Sequence, residues 1–253
     1  MRLAEYFDGD IPHYAILSHT WGPSDEEVTF QDILHGRGKR KSGYGKIRFC
    51  AEQAARDGLE FFWVDSCCID KSSSAELSEA INSMFNWYYN AAKCYAYLSD
   101  VSVSTVTGND LFSQRARKYA FQRSRWFTRS WTLQELLAPP SVEFFARSWE
   151  RVGDRITLRE DIHHATKIPI RAFEGTPLSQ FTVNERMSWA ARREAKREED
   201  TAYSLLGIFN VHMPVLYGEG RESAFGRLRK EIDQSTEQVK LRSFLLHRCR
   251  CDL

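Results

Sequence analysis

The chain of 253 residues carries 35 lysines and arginines against 34 aspartates and glutamates, so its formal net charge is +1. Its 42% hydrophobic and 13% aromatic content supports a sizeable core and excludes a disordered chain, while the balanced charge removes the bulk electrostatic argument for a nucleic-acid partner. No apolar run approaches the ~20 residues of a membrane span and the N-terminus has no apolar signal core, so we expect a soluble, cytoplasmic protein.

The first half of the chain alternates short apolar runs with helical periodicity, which is typical of an α/β fold with a mainly parallel sheet and flanking helices. Short apolar runs predict strands over 14–18, 61–65, 94–98 and 142–145. Apolar stripes predict helices over 45–57 and 75–90, with a single helical turn near 29–34. The polar run 102–110 is predicted to be a loop, and 121–138 to contain an aromatic helix that ends at two prolines.

The second half of the chain has helical patterns instead of alternating strands and helices, and we interpret it as a helical elaboration packed on this core. Its apolar patterns predict helices over 157–166, 185–197, 201–209 and 223–234. We expect one domain over 1–253, made of an α/β core over 1–150, the helical elaboration over 151–234 and a tail over 235–253. The charged run 194–200 is predicted to be a solvated helix end.

The six cysteines are scattered along the chain and include the adjacent pair Cys67 and Cys68. This spacing matches neither a disulfide framework nor paired zinc ligands. We therefore expect reduced thiols packed as small hydrophobic side chains, and no metal site. A nucleophilic pair of one of these cysteines with a histidine has no local signature to support it.

Polar side chains follow three of the predicted strands. Ser18 and His19, followed by Trp21, end the first strand; Asp65 and Ser66 end the second. Asp70 comes shortly after, and Ser99 and Asp100 end the third strand. Because ligands of open parallel sheets bind beyond the carboxyl ends of the strands, this convergence predicts a ligand site. The alternative is that each residue only caps the helix that follows, and that His19 is a packed side chain rather than a general base.

The densest polar and aromatic segment is 124–136. On a helix, Trp131 and Glu135 are one turn apart on the same face, with Trp126 and Arg129 about one turn before. An acid flanked by tryptophans in a partly apolar cleft can bind a sugar edge or stabilise a cationic transition state. The alternative is that Glu135 makes a surface ion pair with Arg129. Further on, Gly218-Glu219-Gly220 lacks the preceding strand and the lysine of a phosphate-binding loop.

At these residues the chain resembles the fungal heterokaryon incompatibility (HET) domain family. Five segments carry the resemblance, in order, across about 12–233: YAILSHTWG over 14–22, FWVDSCCIDK over 62–71, RSWTLQELLAP over 129–139, REEDTAYSLLG over 197–207 and MPVLYGEG over 213–220. Lys71 stands where such sequences often carry glutamine. The resemblance implies a role in programmed cell death triggered by non-self recognition, with self-association or NLR-type receptor domains as partners.

The family is in turn distantly similar to Toll/interleukin-1 receptor (TIR) domains, which implies a TIR-like or flavodoxin-like sheet. Residues 131–136, WTLQEL, are similar to the W-C-x-x-E-L segment of TIR domains, with Thr132 in place of the cysteine. The glutamate of that segment is catalytic in the NAD-cleaving members. The resemblance therefore implies Glu135 as the catalytic acid.

Two functions follow as hypotheses. In the first, the domain cleaves the nicotinamide–ribose bond of NAD, which is a substrate, and needs no cofactor or metal. The expected substrate-binding residues are Ser18, His19, Asp65 and Ser66 for ribose and phosphate, together with Arg129, Trp21 and Trp131. In the second, the same motifs are structural and the domain is a non-enzymatic signalling module. Nucleic-acid binding has only the basic loop 37–41 in its favour and is not expected.

Overall fold

The computed structural model describes residues 2–6, 10–102 and 111–248. Most of the predicted loop over 102–110 lies outside these ranges, as do Cys249 and Cys251. Within them the chain forms a five-stranded sheet in the order β2-β1-β3-β4-β5. The strands are β1 Tyr14–His19, β2 Phe61–Trp63, β3 Lys93–Tyr97, β4 Val142–Phe145 and β5 Arg151–Asp154.

The sheet confirms the predicted α/β class with mainly parallel strands. β1 pairs in parallel with β2 and β3, and β3 pairs in parallel with β4. The edge strand β5 is antiparallel to β4 and was not expected, because its sequence RVGD has no apolar run. β2 is shorter than predicted, since the chain turns into a helix at Asp65. The strand order reverses between β1 and β3, where the carboxyl ends of parallel strands open a crevice.

Eleven α-helices lie in the described ranges. They are α1 Phe30–Leu34, α2 Tyr44–Arg56, α3 Asp65–Cys68, α4 Ser74–Asn90, α5 Leu111–Gln122, α6 Thr132–Leu137, α7 Arg159–Thr166, α8 Val183–Ser188, α9 Asp200–Tyr203, α10 Leu206–Phe209 and α11 Gly220–Arg248. None of the helices in these ranges combines the length and apolar character that a membrane crossing needs.

The sheet is covered on both faces, so its central strands are buried. Ala15 and Leu17 of β1 point to one face, where they share a core with α2. Ile16 points to the other, into a larger core formed with α4 and α6. This alternation follows from the two-residue period of a strand. It also decides where the polar residues at the end of β1 point, since Ser18 continues the face of Ile16 and His19 the face of Leu17.

The larger core is built from both halves of the chain. Trp126, Tyr88 and Tyr203 are its bulkiest fully buried members, and Leu228 of α11 belongs to it as well. Burial of each large apolar side chain stabilises the fold by roughly 1.5–3 kcal/mol. The packing is close enough that Gly207 of α10 lies directly against Phe85 of α4.

The segment 121–138 does contain a helix that ends before the two prolines, but it is divided into several elements. The segment forms the end of α5, a 3-10 turn over Arg125–Thr128 and the separate helix α6. Asp100 causes the break, because its carboxylate accepts hydrogen bonds from Ser124 Oγ at 2.7 Å and from the backbone N–H of Arg125 at 2.7 Å. Trp126 is thereby turned into the core, where it is 0% exposed.

The second half departs from its predicted helices in three places. α8 ends at Ser188 instead of 197, and Glu194 then forms a parallel bridge opposite Arg129: its N–H donates to the Thr128 carbonyl oxygen and its own carbonyl oxygen accepts from the Ser130 N–H. The helix predicted over 201–209 is divided into α9 and α10. α11 continues to Arg248, through much of the segment predicted to be a tail. The helix predicted over 157–166 is confirmed as α7.

The charged run 194–200 leads into α9 and is mostly exposed, as predicted, but Glu199 within it is buried. Glu199 is 6% exposed, and its carboxylate accepts the backbone N–H groups of Gly218 at 2.7 Å and Gly220 at 3.2 Å. Both glycines have positive φ angles, 96° and 78° respectively, which bring their N–H groups toward one point. The glycine-rich turn therefore binds a carboxylate of its own chain.

Candidate functional site

Ser18 and His19 place two polar clusters at the carboxyl end of β1, one on each face of the sheet. Ser18 Oγ donates a hydrogen bond to Glu135 Oε2 of α6. His19 Nε2 lies 2.9 Å from Asp65 Oδ1 of α3. The predicted convergence of strand-end residues is therefore present, but the sheet divides it into a glutamate cluster and an aspartate cluster.

The glutamate cluster is buried and held by aromatic and backbone contacts. Trp126 Nε1 donates to Ser18 Oγ at 2.8 Å, and the resulting chain of hydrogen bonds runs from the indole through the hydroxyl to Glu135. Thr132 Oγ1 contacts the carbonyl oxygens of Trp126 at 2.5 Å and Arg129 at 2.9 Å. These bonds join the 3-10 turn to the first turn of α6, which carries Glu135.

The far end of α6 is fixed by a buried arginine. Arg155 Nη1 donates to the carbonyl oxygens of Leu136 at 2.9 Å and Pro139 at 2.8 Å. A cation at the carbonyl end of a helix satisfies groups that lack an intrahelical partner and is favoured by the helix dipole. On the sheet side, Cys94 Sγ lies 3.7 Å from the backbone oxygen of Glu135. The position of the Glu135 carboxylate is thus set from both ends of its helix.

Burial governs the charge of Glu135, which is 8% exposed. Burial raises the pKa of Glu135 to about 8, and the hydrogen bond from Ser18 opposes that rise. The charge of Asp65 raises the pKa further, while Arg129 and Arg193 lower it. Glu135 is therefore mostly protonated at neutral pH in this arrangement. The alternative of a surface ion pair with Arg129 is wrong, because the described residues contain no such pair and the carboxylate is buried.

Arg193 is the buried cation of the glutamate cluster. Its Nη1 atom donates to the carbonyl oxygen of Arg129 and to Thr132 Oγ1, both at 2.8 Å. Its Nη2 atom is buried without a hydrogen-bond partner in the described ranges, and burial lowers the pKa of Arg193 to about 9. No local pattern marks this residue, because the sequence predicts only that it belongs to a helix over 185–197.

The aspartate cluster is centred on Asp65, the first residue of α3. Its two carboxylate oxygens accept from His19 and, at 2.8 Å, from Trp21 Nε1. Lys71 Nζ lies 3.9 Å from Asp65 Oδ2 and 3.6 Å from the centre of the Trp21 ring. Burial raises the pKa of Asp65, but Lys71, His19 and Trp21 together hold it well below its usual range, so the carboxylate is ionised.

His19 has the position of a packed side chain. It is 7% exposed, one ring nitrogen is used by Asp65, and Nδ1 is buried without a partner in the described part of the chain. Ser66 lines a pocket of about 250 Å³ that also includes Trp21, Asp70 and Lys71. Of these, Asp70 and Lys71 are the residues that the substrate-binding prediction left out.

The remaining predicted residues lie beside the glutamate cluster. Trp131 immediately precedes α6 and is half-buried, and a hydrogen bond from it lowers the pKa of Asp200 against the raising effect of burial. Arg129 is half-buried and its carbonyl oxygen is bonded to Arg193 and Thr132. Asp100 caps the 3-10 turn, and Ser99 Oγ lies 3.3 Å from Thr20 Oγ1, so these two strand-end residues have the structural role given as the alternative.

The cysteines in the ranges described form no disulfide. Cys50, Cys67, Cys68 and Cys94 are free thiols. A hydrogen bond with Cys68 and burial raise the pKa of Cys67, which disfavours the thiolate that a nucleophile needs. No group of three or more histidine, cysteine, aspartate or glutamate side chains among the described residues has a metal-binding arrangement.

Comparison with known proteins places these clusters in a family context. Residues 14–120 match the family model described as heterokaryon incompatibility protein (HET). The chain is also 60% identical over 224 residues to vegetative incompatibility protein HET-E-1 of Podospora anserina. This alignment covers 88% of the chain but 16% of the relative, so the chain spans about a sixth of that protein's length. No solved structure matches the chain significantly. The family match contains the aspartate cluster and ends before Glu135.

Proposed function

The chain belongs to the heterokaryon incompatibility family, and on that premise we propose that it acts in the incompatibility response as a cell-death effector domain that cleaves the nicotinamide–ribose bond of NAD. The enzymatic part of this proposal is supported by the buried Glu135 carboxyl group, which is bonded to Ser18, itself bonded to Trp126, at the carboxyl end of the sheet. The proposed partners of the domain are further copies of itself or NLR-type receptor domains.

The reaction needs one well-placed carboxylate. The bond between the ribose C1′ and the nicotinamide nitrogen breaks with its electron pair leaving on the nitrogen, which gives neutral nicotinamide and an oxocarbenium-like ribose. Water then adds to C1′ and loses a proton, so that the products are nicotinamide, ADP-ribose and H⁺. A carboxylate beside the ribose stabilises the developing cation, as in glycoside hydrolysis. Glu135 is the group assigned to this role.

The raised pKa of Glu135 is compatible with this reaction, because the positive charge of the bound substrate favours the ionised carboxylate. In the free protein, burial keeps the carboxyl group largely neutral. The nicotinamide ring of NAD carries a positive charge, and a neighbouring cation favours the ionised form of a carboxyl group. Binding of NAD therefore promotes ionisation of Glu135. Ser18 uses only one carboxylate oxygen, Oε2, which leaves Oε1 to face the ribose.

A non-enzymatic signalling module is the second candidate. The observation in its favour is that Trp126, Ser18 and Glu135 already form a complete buried hydrogen-bond chain. Such a network stabilises a core without any ligand. On this alternative the domain causes death by self-association or by recruiting partners, and loss of the Glu135 charge has no effect beyond stability.

Release of nicotinamide from NAD separates the two candidates. The purified chain is assayed alone and fused to a tetrameric coiled coil, because an inactive monomer leaves activation by assembly untested. We expect the assembled protein to release nicotinamide and Glu135→Gln to lower the rate by ~10²–10³. Glu174→Gln, which changes an exposed glutamate paired with Arg159, is the matched control and keeps full activity. An assembled protein that kills cells without consuming NAD would establish the signalling module instead.

A further inference from the structure

The pocket beside Trp21 is separate from the glutamate cluster and is formed by the segments that follow β1 and β2. Its volume is about 250 Å³. Trp21, Phe30 and Ile69 make its apolar wall, and Ser66, Asp70 and Lys71 are among its polar residues. Sites for whole drug-sized ligands usually occupy ~300–1,000 Å³, so this pocket fits a nucleoside rather than a dinucleotide.

The pocket adjoins the position where the glutamate cluster begins. Trp21 is three residues beyond Ser18, and Asp65, which bonds Trp21, also bonds His19 at the end of β1. Asp65 is near enough to Glu135 to raise its pKa. The two clusters flank the end of β1, so a dinucleotide lying across this end extends from Trp21 toward Glu135.

Most charges that line the pocket are already neutralised. Lys71 is shared between Asp65 and the face of Trp21. Glu27 is paired with Lys46 and also accepts the backbone N–H of Gly22 at 2.7 Å. These two residues consequently contribute little net charge to a ligand.

Asp70 is the exception. Its Oδ1 atom accepts from the backbone N–H of Ser72 at 3.0 Å and from Ser72 Oγ at 2.6 Å, and Oδ2 accepts from Gln31 Nε2 at 3.2 Å. The described residues include no cation within ion-pair distance of this carboxylate. The hydrogen bonds from Ser72 lower the pKa of Asp70, which keeps it ionised at neutral pH. A carboxylate accepts about four hydrogen bonds, so Asp70 retains one acceptor site for a ligand.

An aromatic wall beside a carboxylate that can still accept a hydrogen bond suits a ribonucleoside, whose base packs on Trp21 and whose ribose hydroxyl donates to Asp70. Acidic residues bind the ribose 2′-hydroxyl in this way in dinucleotide sites, whereas a 2′-phosphate requires a cation. We infer that this pocket is the adenosine subsite of the dinucleotide, and that Asp70 selects a ribose with a free 2′-hydroxyl over one carrying a 2′-phosphate. This inference rests on the proposed function, because it assigns the second half of the same substrate.

Equilibrium binding of two mononucleotides tests the subsite without requiring catalysis. Adenosine 5′-monophosphate and adenosine 2′,5′-bisphosphate are titrated calorimetrically into the full chain. We expect the monophosphate to bind at least roughly tenfold more tightly, a ratio equivalent to about 1.4 kcal/mol. Asp70→Asn keeps acceptors for Ser72 but removes the charge, and we expect it to abolish most of this discrimination. Asp25→Asn, which changes an exposed acid that does not line the pocket, leaves the ratio unchanged.

The outcomes separate the subsite from the proposed reaction. If the monophosphate does not bind, or if Asp70→Asn retains the full discrimination with an unchanged melting temperature, the inference is overturned even where NAD is cleaved. If discrimination depends on Asp70 but the assembled chain releases no nicotinamide, the subsite stands and the glycohydrolase function fails. Cleavage of NAD in preference to NADP, lost in Asp70→Asn, supports both.

Discussion

At the scale of single residues, two carboxyl groups close to the end of β1 differ in charge at neutral pH: one is mostly neutral and the other is ionised. Glu135 is buried among aromatic residues and its pKa is raised to about 8. Asp65 accepts hydrogen bonds from His19 and Trp21 beside Lys71, and its pKa is held below the usual range. Two carboxyl groups whose environments separate their pKa values in this way can take different roles. Glu135 can gain or lose a proton during a reaction, while Asp65 remains negatively charged.

The pH dependence of stability should report the environment of Glu135. A carboxyl group with a raised folded-state pKa stabilises the fold fully below its unfolded value, about 4.5, and loses that contribution as pH rises to about 8. We expect the free energy of unfolding to fall by up to ~1.4 kcal/mol per pH unit across this window because of Glu135. Urea unfolding of wild type and Glu135→Gln from pH 5 to pH 8 measures the difference. Curves that stay parallel would contradict the buried, protonated carboxyl group.

Asp65 should show the opposite sign. Its depressed pKa means that its stabilising contribution is present above the usual aspartate range and is lost as pH falls through the lower folded-state value. Asp65→Asn removes the anion that accepts from His19 and Trp21 in a partly exposed cluster, and losing hydrogen bonds to a charged group costs about 1.5–3 kcal/mol. We expect this cost at pH 7 and a smaller one near pH 3, by thermal unfolding. Asp25→Asn is the exposed control and should be neutral.

At the scale of secondary-structure elements, the sequence correctly predicts the strands and helices whose limits are set by residues close in sequence. β1, α2 and α4 are within two residues of their predicted limits, because each has a continuous apolar run or stripe and a recognisable end, such as Ser73 as N-cap of α4. The break in the aromatic segment after α5 is not predicted, because Asp100, which caps the 3-10 turn there, lies over twenty positions away in sequence. The limits of α8 were misread for the same reason, since Ser130 pairs with Glu194.

The candidate site, too, could be predicted from the sequence only in part. Its strand-end residues follow from parallel-sheet topology, and Ser18, His19 and Asp65 do meet at one end of the sheet. Their separation onto two faces also follows from strand alternation. Asp70 is among the strand-end residues predicted to converge there, whereas Arg193 is not predicted, because its role depends on a tertiary contact with Thr132 that no sequence spacing encodes.

The contact between α4 and α10 gives a prediction for helix packing. A Cβ atom at Gly207 would overlap Phe85, so Gly207→Ala forces the two helices apart. Overpacking of this kind costs ~1–3 kcal/mol or more. Gly226 is the matched control, because it lies in α11 with open space around it, and Gly226→Ala should stabilise by ~0.5–1 kcal/mol. Melting temperatures that shift in the same direction for both variants would show that Gly207 is not a packing contact.

At the scale of the whole molecule, the two halves of the chain share one hydrophobic core. Ile16 of β1 and Ile81 of α4 belong to the same cluster as Trp189, Tyr203 and Leu228. Polar contacts join the halves as well: Gln134 Nε2 of α6 donates to the backbone oxygen of Ser204 at 2.8 Å. The glutamate cluster itself spans both halves, because Glu135 belongs to the first and Arg193 to the second.

A fragment limited to residues 1–150 should therefore fail to fold alone. Removing the second half exposes the face of α4 that α10 covers, where Gly207 lies against Phe85, and also removes β5 from the edge of the sheet. It further deletes Arg155, which bonds the carbonyl end of α6, so Glu135 loses its fixed position. Because an exposed apolar face of this size favours association, we expect the fragment to aggregate or to unfold without a cooperative transition. Circular dichroism melting and size-exclusion chromatography, with the full chain measured in parallel, test this. A monomeric fragment with a sharp melting transition would mean that the α/β core is an independent domain, and that the second half contributes to the glutamate cluster without being needed for the fold.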